Sequence, residues 1–265
     1  MTTIIDADSH VLEPADLWET YLEPRYRDRA IRIVERDGVE ELVMGGEVIL
    51  AGTLAGLGGG HVDPRARLFD GTMKYADGCH PASHDPAARI AMYDEWGVSC
   101  GVVFPTIGIL PFPCDDADLA SAYCRAYNTW QSEFAAGARG RVLPIAHLNL
   151  ADRDGAIAEL ERCLALGFKG VFVAPEPVNG LRPGDPYFDP LWQRCADAGV
   201  PVCLHVVVRF GNGMPYEPWL MAGAGMVFGF ALGAPGQVIP TIASMVLDGV
   251  FDRVPQLKVV CVEAG

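Results

Sequence analysis

The residues of this chain that could do chemistry sit at the ends of apolar runs. The first such run is Ile4-Ile5-Asp6-Ala7-Asp8-Ser9-His10. Ile4 and Ile5 are β-formers, and Pro14 follows soon after His10, so the run reads as a short strand opening into a loop. Side chains two apart on a strand point to the same face. Asp8 and His10 are therefore expected to project together, with Asp6 on the same side one step deeper. A carboxylate and an imidazole side by side at a strand tip are two ligands for one divalent cation. The plainer alternative is that His10 caps the next turn and Asp8 bonds loop amides.

Other strand ends carry metal-competent side chains as well. The run Pro201-Val-Cys-Leu-His205 ends on His205, and Glu263 follows the last apolar run. His147 stands near the end of a third. A single histidine at the end of an apolar strand is often only a hydrogen-bonded core residue. The Asp-x-His pair at strand one is what makes His205 a candidate ligand. Arg209, four residues after His205, could orient a carboxylate through a bidentate contact, or could be a solvated loop arginine. Lys169 precedes its strand, at the wrong end for a metal-bridging lysine, and reads as a solvated turn residue. His61, His80 and His84 fall in a long loop, as exposed residues or as part of a lid. The string Gly97-Val-Ser-Cys-Gly101 fits G-x-S-x-G in letters only: it follows a helix and opens a strand, the reverse of the strand-to-helix turn that exposes a serine nucleophile, and so gives no support to one.

The elements that must position these residues follow from punctuation. Leu12 to Tyr21 reads as a short helix. Between Ile31 and Leu50, alternating runs are broken by Asp37-Gly38 and Gly45-Gly46, the turn pairs of a three-stranded meander. Residues 51 to 84 are Gly-rich and irregular, a long loop of the kind that often carries binding function. From Asp85 a regular rhythm begins. Helices are expected over 85–96, 115–136, 152–166, 189–198 and 237–247. Strands are expected over 98–104, 141–148, 170–174, 200–207 and 257–262. These strands are apolar throughout, as in a parallel sheet buried on both faces. Six β units result, which could close as a (β/α) barrel or lie open as a doubly wound sheet. The first strand is not followed by G-x-G-x-x-G, which weakens a dinucleotide-binding reading.

Composition narrows the function classes. The chain has 265 residues, half of them apolar, so it can build a sizeable core. The formal charge is -14, with no Lys/Arg cluster. That argues against nucleic acid and anionic membrane surfaces as partners. An anionic substrate would need a metal ion or a local arginine. The eight cysteines include no C-x-x-C pair, and several lie in apolar runs where Cys behaves as a small buried hydrophobe. The N-terminus has no basic region of a signal peptide, and a cytoplasmic location is expected. The apolar stretch from Trp219 to Ala234 is short for a membrane span and reads as a packed helix or loop.

The pattern Ile5-Asp-Ala-Asp8-Ser-His10-Val-Leu-Glu13-Pro14 resembles the N-terminus of the amidohydrolase-2 group, the branch that includes aminocarboxymuconate semialdehyde, resorcylate and carboxyvanillate decarboxylases. The likeness continues through Asp85-Pro-Ala-Ala-Arg89 with Gly97-Val98, Tyr127-Asn128, and Glu159-Leu160 with Gly167-Phe-Lys-Gly170. It includes Val202-Cys-Leu-His205 and Phe251-Asp-Arg-Val-Pro255 with Leu257-Lys258, and so spans essentially the whole chain. The resemblance implies a TIM-type barrel holding one divalent metal, zinc or manganese. Asp8 and His10 match its strand-one pair and His205 its strand-five ligand. Where many members carry a catalytic histidine after strand six, this chain has Glu263, which could perform the same proton transfer or support a ligand.

The function expected from these residues is metal-dependent hydrolysis or non-oxidative decarboxylation of a small carboxylate. A metal-free binding or scaffold protein is the rival. The resemblance also places two further β/α units and an eighth-strand aspartate beyond Gly265. The expectation is therefore an incomplete barrel of six strands in one domain, with a site short of one ligand and a tendency to form homo-oligomers.

Overall fold

The computed structural model describes residues 3–58, 71–109, 116–207, 236 and 238–264. Arg209, His61, Cys114 and the stretch from Trp219 to Ala234 lie outside the described residues. Two compact units are present, Met1–Gly108 with Ala122–Pro144, and Ile109–Ser121 with Ile145–Gly265.

In the first unit the opening strand β1 spans Ile4–His10. It leads through a short helix α1, Leu17–Tyr21, to an antiparallel meander of β2 (Arg32–Arg36), β3 (Val39–Met44) and β4 (Glu47–Ala51). The meander matches the Asp-Gly and Gly-Gly punctuation, with positive φ at Asp37, Gly38, Gly45 and Gly46. Helix α1 is shorter than the sequence suggests. Tertiary hydrogen bonds claim the preceding backbone, Val11 N–H donating to the Phe104 carbonyl and Leu12 N–H to that of Ser83. The loop that follows the meander contains a short helix α2 at Tyr75–Gly78 and 3-10 turns at Leu54–Gly58 and Pro81–Ser83.

Helix α3, Pro86–Trp96, starts and stops where its residues dictate. The Asp85 carboxylate accepts from Ala87 and Ala88 N–H, and Gly97 closes the helix in the left-handed conformation. Strand β5, Val98–Phe104, then pairs in parallel with β1, setting Ser9 against Val103 and His10 against Phe104. The register shifts between Asp6 and Ser9, so β1 is irregular just where its polar side chains emerge. Gly101 sits mid-strand because a Cβ there would lie 2.1 Å from the Tyr93 hydroxyl. The long helix α4, Ala117–Gly137, buries Tyr123, Tyr127, Trp130 and Phe134.

Strand β6, Val142–His147, is shared by the two units. Its first half pairs with β5 and its second half with β7, Gly170–Val173. In the second unit, helix α5 (Arg153–Ala165) precedes β7, and helix α6 (Asp189–Ala198) precedes β8 (Val202–His205). Asp152 caps α5 and Gly199 closes α6. A helix over 238–247 leads towards β9, Val259–Val262. Phe188, Leu191, Trp192, Val171, Val202 and Leu204 form the centre of this unit's core.

All sheet pairs in the resulting order β1-β5-β6-β7-β8-β9 are parallel. Consecutive parallel strands joined through helices are the arrangement of a (β/α) barrel, and these six make part of one. Strands β7 and β8 are buried along their whole length, as continuous apolar runs require. The strands that end the order are not: Ile4 and Ile5 of β1 and Val260 of β9 are exposed. Among the described residues, no helix is long and apolar enough to cross a membrane.

Candidate metal centre

In the first unit, β1 delivers Asp8 and His10 to the same place. His10 Nε2 lies 3.5 Å from Asp8 Oδ1, and both side chains are about one-third exposed. Asp6 Oδ1 accepts from Asp8 N–H at 3.2 Å. The other ring nitrogen of His10, Nδ1, is 2.8 Å from the Pro105 carbonyl. A carbonyl oxygen can only accept, so Nδ1 carries the proton and, in the neutral imidazole, Nε2 carries the lone pair.

In the second unit, His205 repeats this arrangement at the end of β8. Its Nδ1 is 2.7 Å from the Val206 carbonyl, which again makes Nε2 the lone-pair nitrogen. His205 is fully buried. Glu263, just past β9, brings its Oε2 to 3.8 Å from His205 Nε2. A proton-bearing nitrogen fixed by a main-chain carbonyl is how proteins orient ligating histidines. A carboxylate beside such an imidazole, as at Asp8 and His10, suits zinc or manganese.

Two residues that sequence reasoning passed over hold β1 in place. Glu13 is completely buried, and its carboxylate accepts from Thr106, Ile107 and Gly108 N–H at 3.1, 2.9 and 3.0 Å. Burial pushes its carboxyl group up from the ordinary range, and those N–H groups oppose the shift. Arg89 is also buried, and it donates to the His10 carbonyl, the Ser9 hydroxyl and the Ala82 carbonyl. Its guanidinium stacks near Tyr93 and Phe134. Arg89 lies in the Asp85-to-Arg89 match, yet nothing in its spacing announces a contact with strand one.

The other described candidates make contacts of their own. Lys169 is exposed at the start of β7, as its position suggested. His80 and His84 are exposed, and His80 Nδ1 accepts from Ala82 N–H to cap a 3-10 turn. His147 ends β6 buried against Phe172, and burial lowers its pKa to about 3, so it is neutral at physiological pH.

Comparison with known proteins decides the family. The sequence pattern described as Amidohydrolase matches residues 5–265. The chain belongs to the amidohydrolase family. A 2-amino-3-carboxymuconate-6-semialdehyde decarboxylase of Dictyostelium discoideum is 30% identical over 126 residues, 47% of this chain and 33% of that relative. The match thus spans only about a third of the curated relative's length. An amidohydrolase of Mycobacterium avium subsp. paratuberculosis superposes with a TM-score of 0.79 at 29% identity, over 99% of this chain and 73% of its own. A dihydroxybenzoic acid decarboxylase of Polaromonas, solved with bound manganese and 2-nitroresorcinol, gives a TM-score of 0.61 at 18% identity. That likeness covers 98% of this amidohydrolase chain and 65% of the other, and concerns the fold.

Proposed function

We propose that this amidohydrolase chain binds one divalent cation, manganese or zinc, and removes carbon dioxide from a small carboxylate. Asp8, His10 and His205 would hold the ion. In this reading they supply one carboxylate oxygen and two imidazole nitrogens. The observation that carries the reading is the shared Nδ1 arrangement. Two histidines, each the last residue of a parallel strand, both donate Nδ1–H to a main-chain carbonyl. Active sites of (β/α) barrels gather at those C-terminal strand ends.

The cation would supply a positive charge that grips the substrate carboxylate and offsets negative charge developing beside it. The chain's own residues do the rest. Asp8 and the two imidazoles fix where the carboxylate sits. When the bond to the leaving carbon dioxide breaks, its electron pair stays on the substrate carbon. In this reading Glu263, beside His205, delivers the proton that replaces the carboxylate and recovers one from solvent. Arg209 would orient the substrate carboxylate through a bidentate contact. The decarboxylase names of the relatives favour this chemistry over hydrolysis. The enzyme would be cytoplasmic and homo-oligomeric.

Metal analysis of the purified chain, followed by a screen of aromatic carboxylates, muconate-like acids and lactones with manganese or zinc supplied, tests the proposal. Carbon dioxide release that depends on metal is the expected result. Lactone opening without carbon dioxide would assign hydrolysis instead. A protein that takes up no metal would be a binding or scaffold protein.

A further inference from the structure

We propose that Glu13 is a positioning residue that sets the orientation and tautomer of His10 through the turn at residues 105–108. The inference rests on His10 being a metal ligand, as argued above, but its geometry lies wholly within the first unit. His10 and Glu13 leave β1 three residues apart and grip the same turn at two points. The His10 ring holds the Pro105 carbonyl at 2.8 Å, and the Glu13 carboxylate holds the next three amides, of Thr106, Ile107 and Gly108. The turn is thereby closed onto β1, and the carbonyl that selects the His10 tautomer cannot swing away.

The chemistry requires a carboxylate. Both oxygens of Glu13 accept: Oε1 from Thr106 and Gly108, and Oε2 from Ile107 with a longer contact to Thr106. An amide in its place would turn one acceptor into an NH2 donor facing N–H groups. That leaves buried donors opposed, which costs more than a lost bond on the surface. The turn would open and take the Pro105 carbonyl with it. The His10 ring would then be free to protonate Nε2, the nitrogen the cation needs.

Gly108 offers an independent handle on the same device. A Cβ there would lie 2.7 Å from the Pro105 Cβ and 3.5 Å from Glu13 Oε1. Gly108→Ala therefore pushes Pro105 while leaving every charge and donor in place.

The test uses ring 15N shifts of His10 in the metal-free full chain at neutral pH, assigned with a His10→Gln variant. Manganese titration by calorimetry and urea midpoints accompany it. In the wild type, His10 is expected to be Nδ1-protonated. In Glu13→Gln and Gly108→Ala it should move towards the Nε2-protonated form, and manganese affinity should fall roughly tenfold or more, as for other partners of ligating histidines. Folded variants that keep the Nδ1 form would overturn the proposal, as would a wild type lacking it. A shift in Gly108→Ala alone would give the role to the turn and remove it from Glu13. If Glu13→Gln does not fold, an unchanged tautomer in Gly108→Ala is enough to sink the idea. Tautomer shifts in a chain that binds no manganese would leave this inference standing and refute the metal centre.

Discussion

His205 Nε2 and the Glu263 carboxylate lie 3.8 Å apart, and Glu263 holds that position from a left-handed backbone, φ 55. A non-glycine residue adopts this conformation at a cost of about 1 kcal/mol or more, and such residues cluster where function demands a fixed direction. The strain here points a half-exposed carboxylate at the nitrogen proposed to bind the cation. Glu263→Gln keeps the shape and removes the transferable proton. Turnover should fall on the order of 10²–10⁴-fold with metal content largely retained. Steady-state kinetics beside metal analysis reads both, and unchanged turnover would remove Glu263 from the reaction. Glu263→Gly should relieve the backbone while losing the same activity.

His147 makes stability depend on pH. Burial lowers its pKa to about 3 in the folded chain, against roughly 6.5 when unfolded. Between those values the unfolded state binds a proton that the folded state does not. Stability from this group is therefore complete above pH 6.5 and is lost as pH falls towards 3, by up to about 1.4 kcal/mol per pH unit. Urea midpoints at pH 7 and pH 5 should differ, and His147→Phe should shrink the difference. Equal acid sensitivity in the variant would show that other groups set it.

Helix α3 presents Arg89 to β1, so its cap matters beyond local stability. Asp85 Oδ1 accepts from Ala87 and Ala88 N–H at 2.7 and 2.9 Å. Asp85→Ala should cost about 1 kcal/mol. Asp85→Ser, which can still cap, should recover most of that. Thermal unfolding of the two variants is the check, and equal melting temperatures for alanine and wild type would deny the cap its role.

These cases show which parts of the molecule were legible in the sequence. The limits of α3 and the end of α6 could be read because Asp85, Pro86, Gly97 and Gly199 act on their immediate neighbours. The pairing of Asp8 with His10 followed from strand periodicity for the same reason. The start of α1 is not legible in the same way, because residues 11–13 bond to partners far along the chain. Glu13 meets its amides some 93 to 95 residues away, and Arg89 meets His10 across 79. Each is a single charge among apolar neighbours, and no period or spacing distinguishes it from a surface residue.

Arg89 gives the last prediction. Its buried guanidinium satisfies three acceptors at once: the His10 carbonyl at 2.6 Å, the Ser9 hydroxyl at 2.9 Å and the Ala82 carbonyl at 2.5 Å. A planar fork with five donors can span them, whereas a lysine ammonium is a point charge on a flexible stem. Arg89→Met keeps much of the packing against Tyr93 and Phe134 but removes the guanidinium donors from the His10 and Ala82 carbonyls and leaves Ser9 Oγ the longer contact to the Tyr93 hydroxyl at 3.4 Å. Each buried acceptor so stranded costs roughly 1–3 kcal/mol, partly recovered by relaxation or entering water. A loss of about 3 kcal/mol is expected for Arg89→Met, and Arg89→Lys should recover only a minor part. Because His10 is the proposed ligand at that strand end, manganese affinity should fall in both variants even at temperatures where they remain folded. A lysine variant matching wild type in urea midpoint and manganese affinity would show that charge alone suffices and that the fork geometry holds nothing in place.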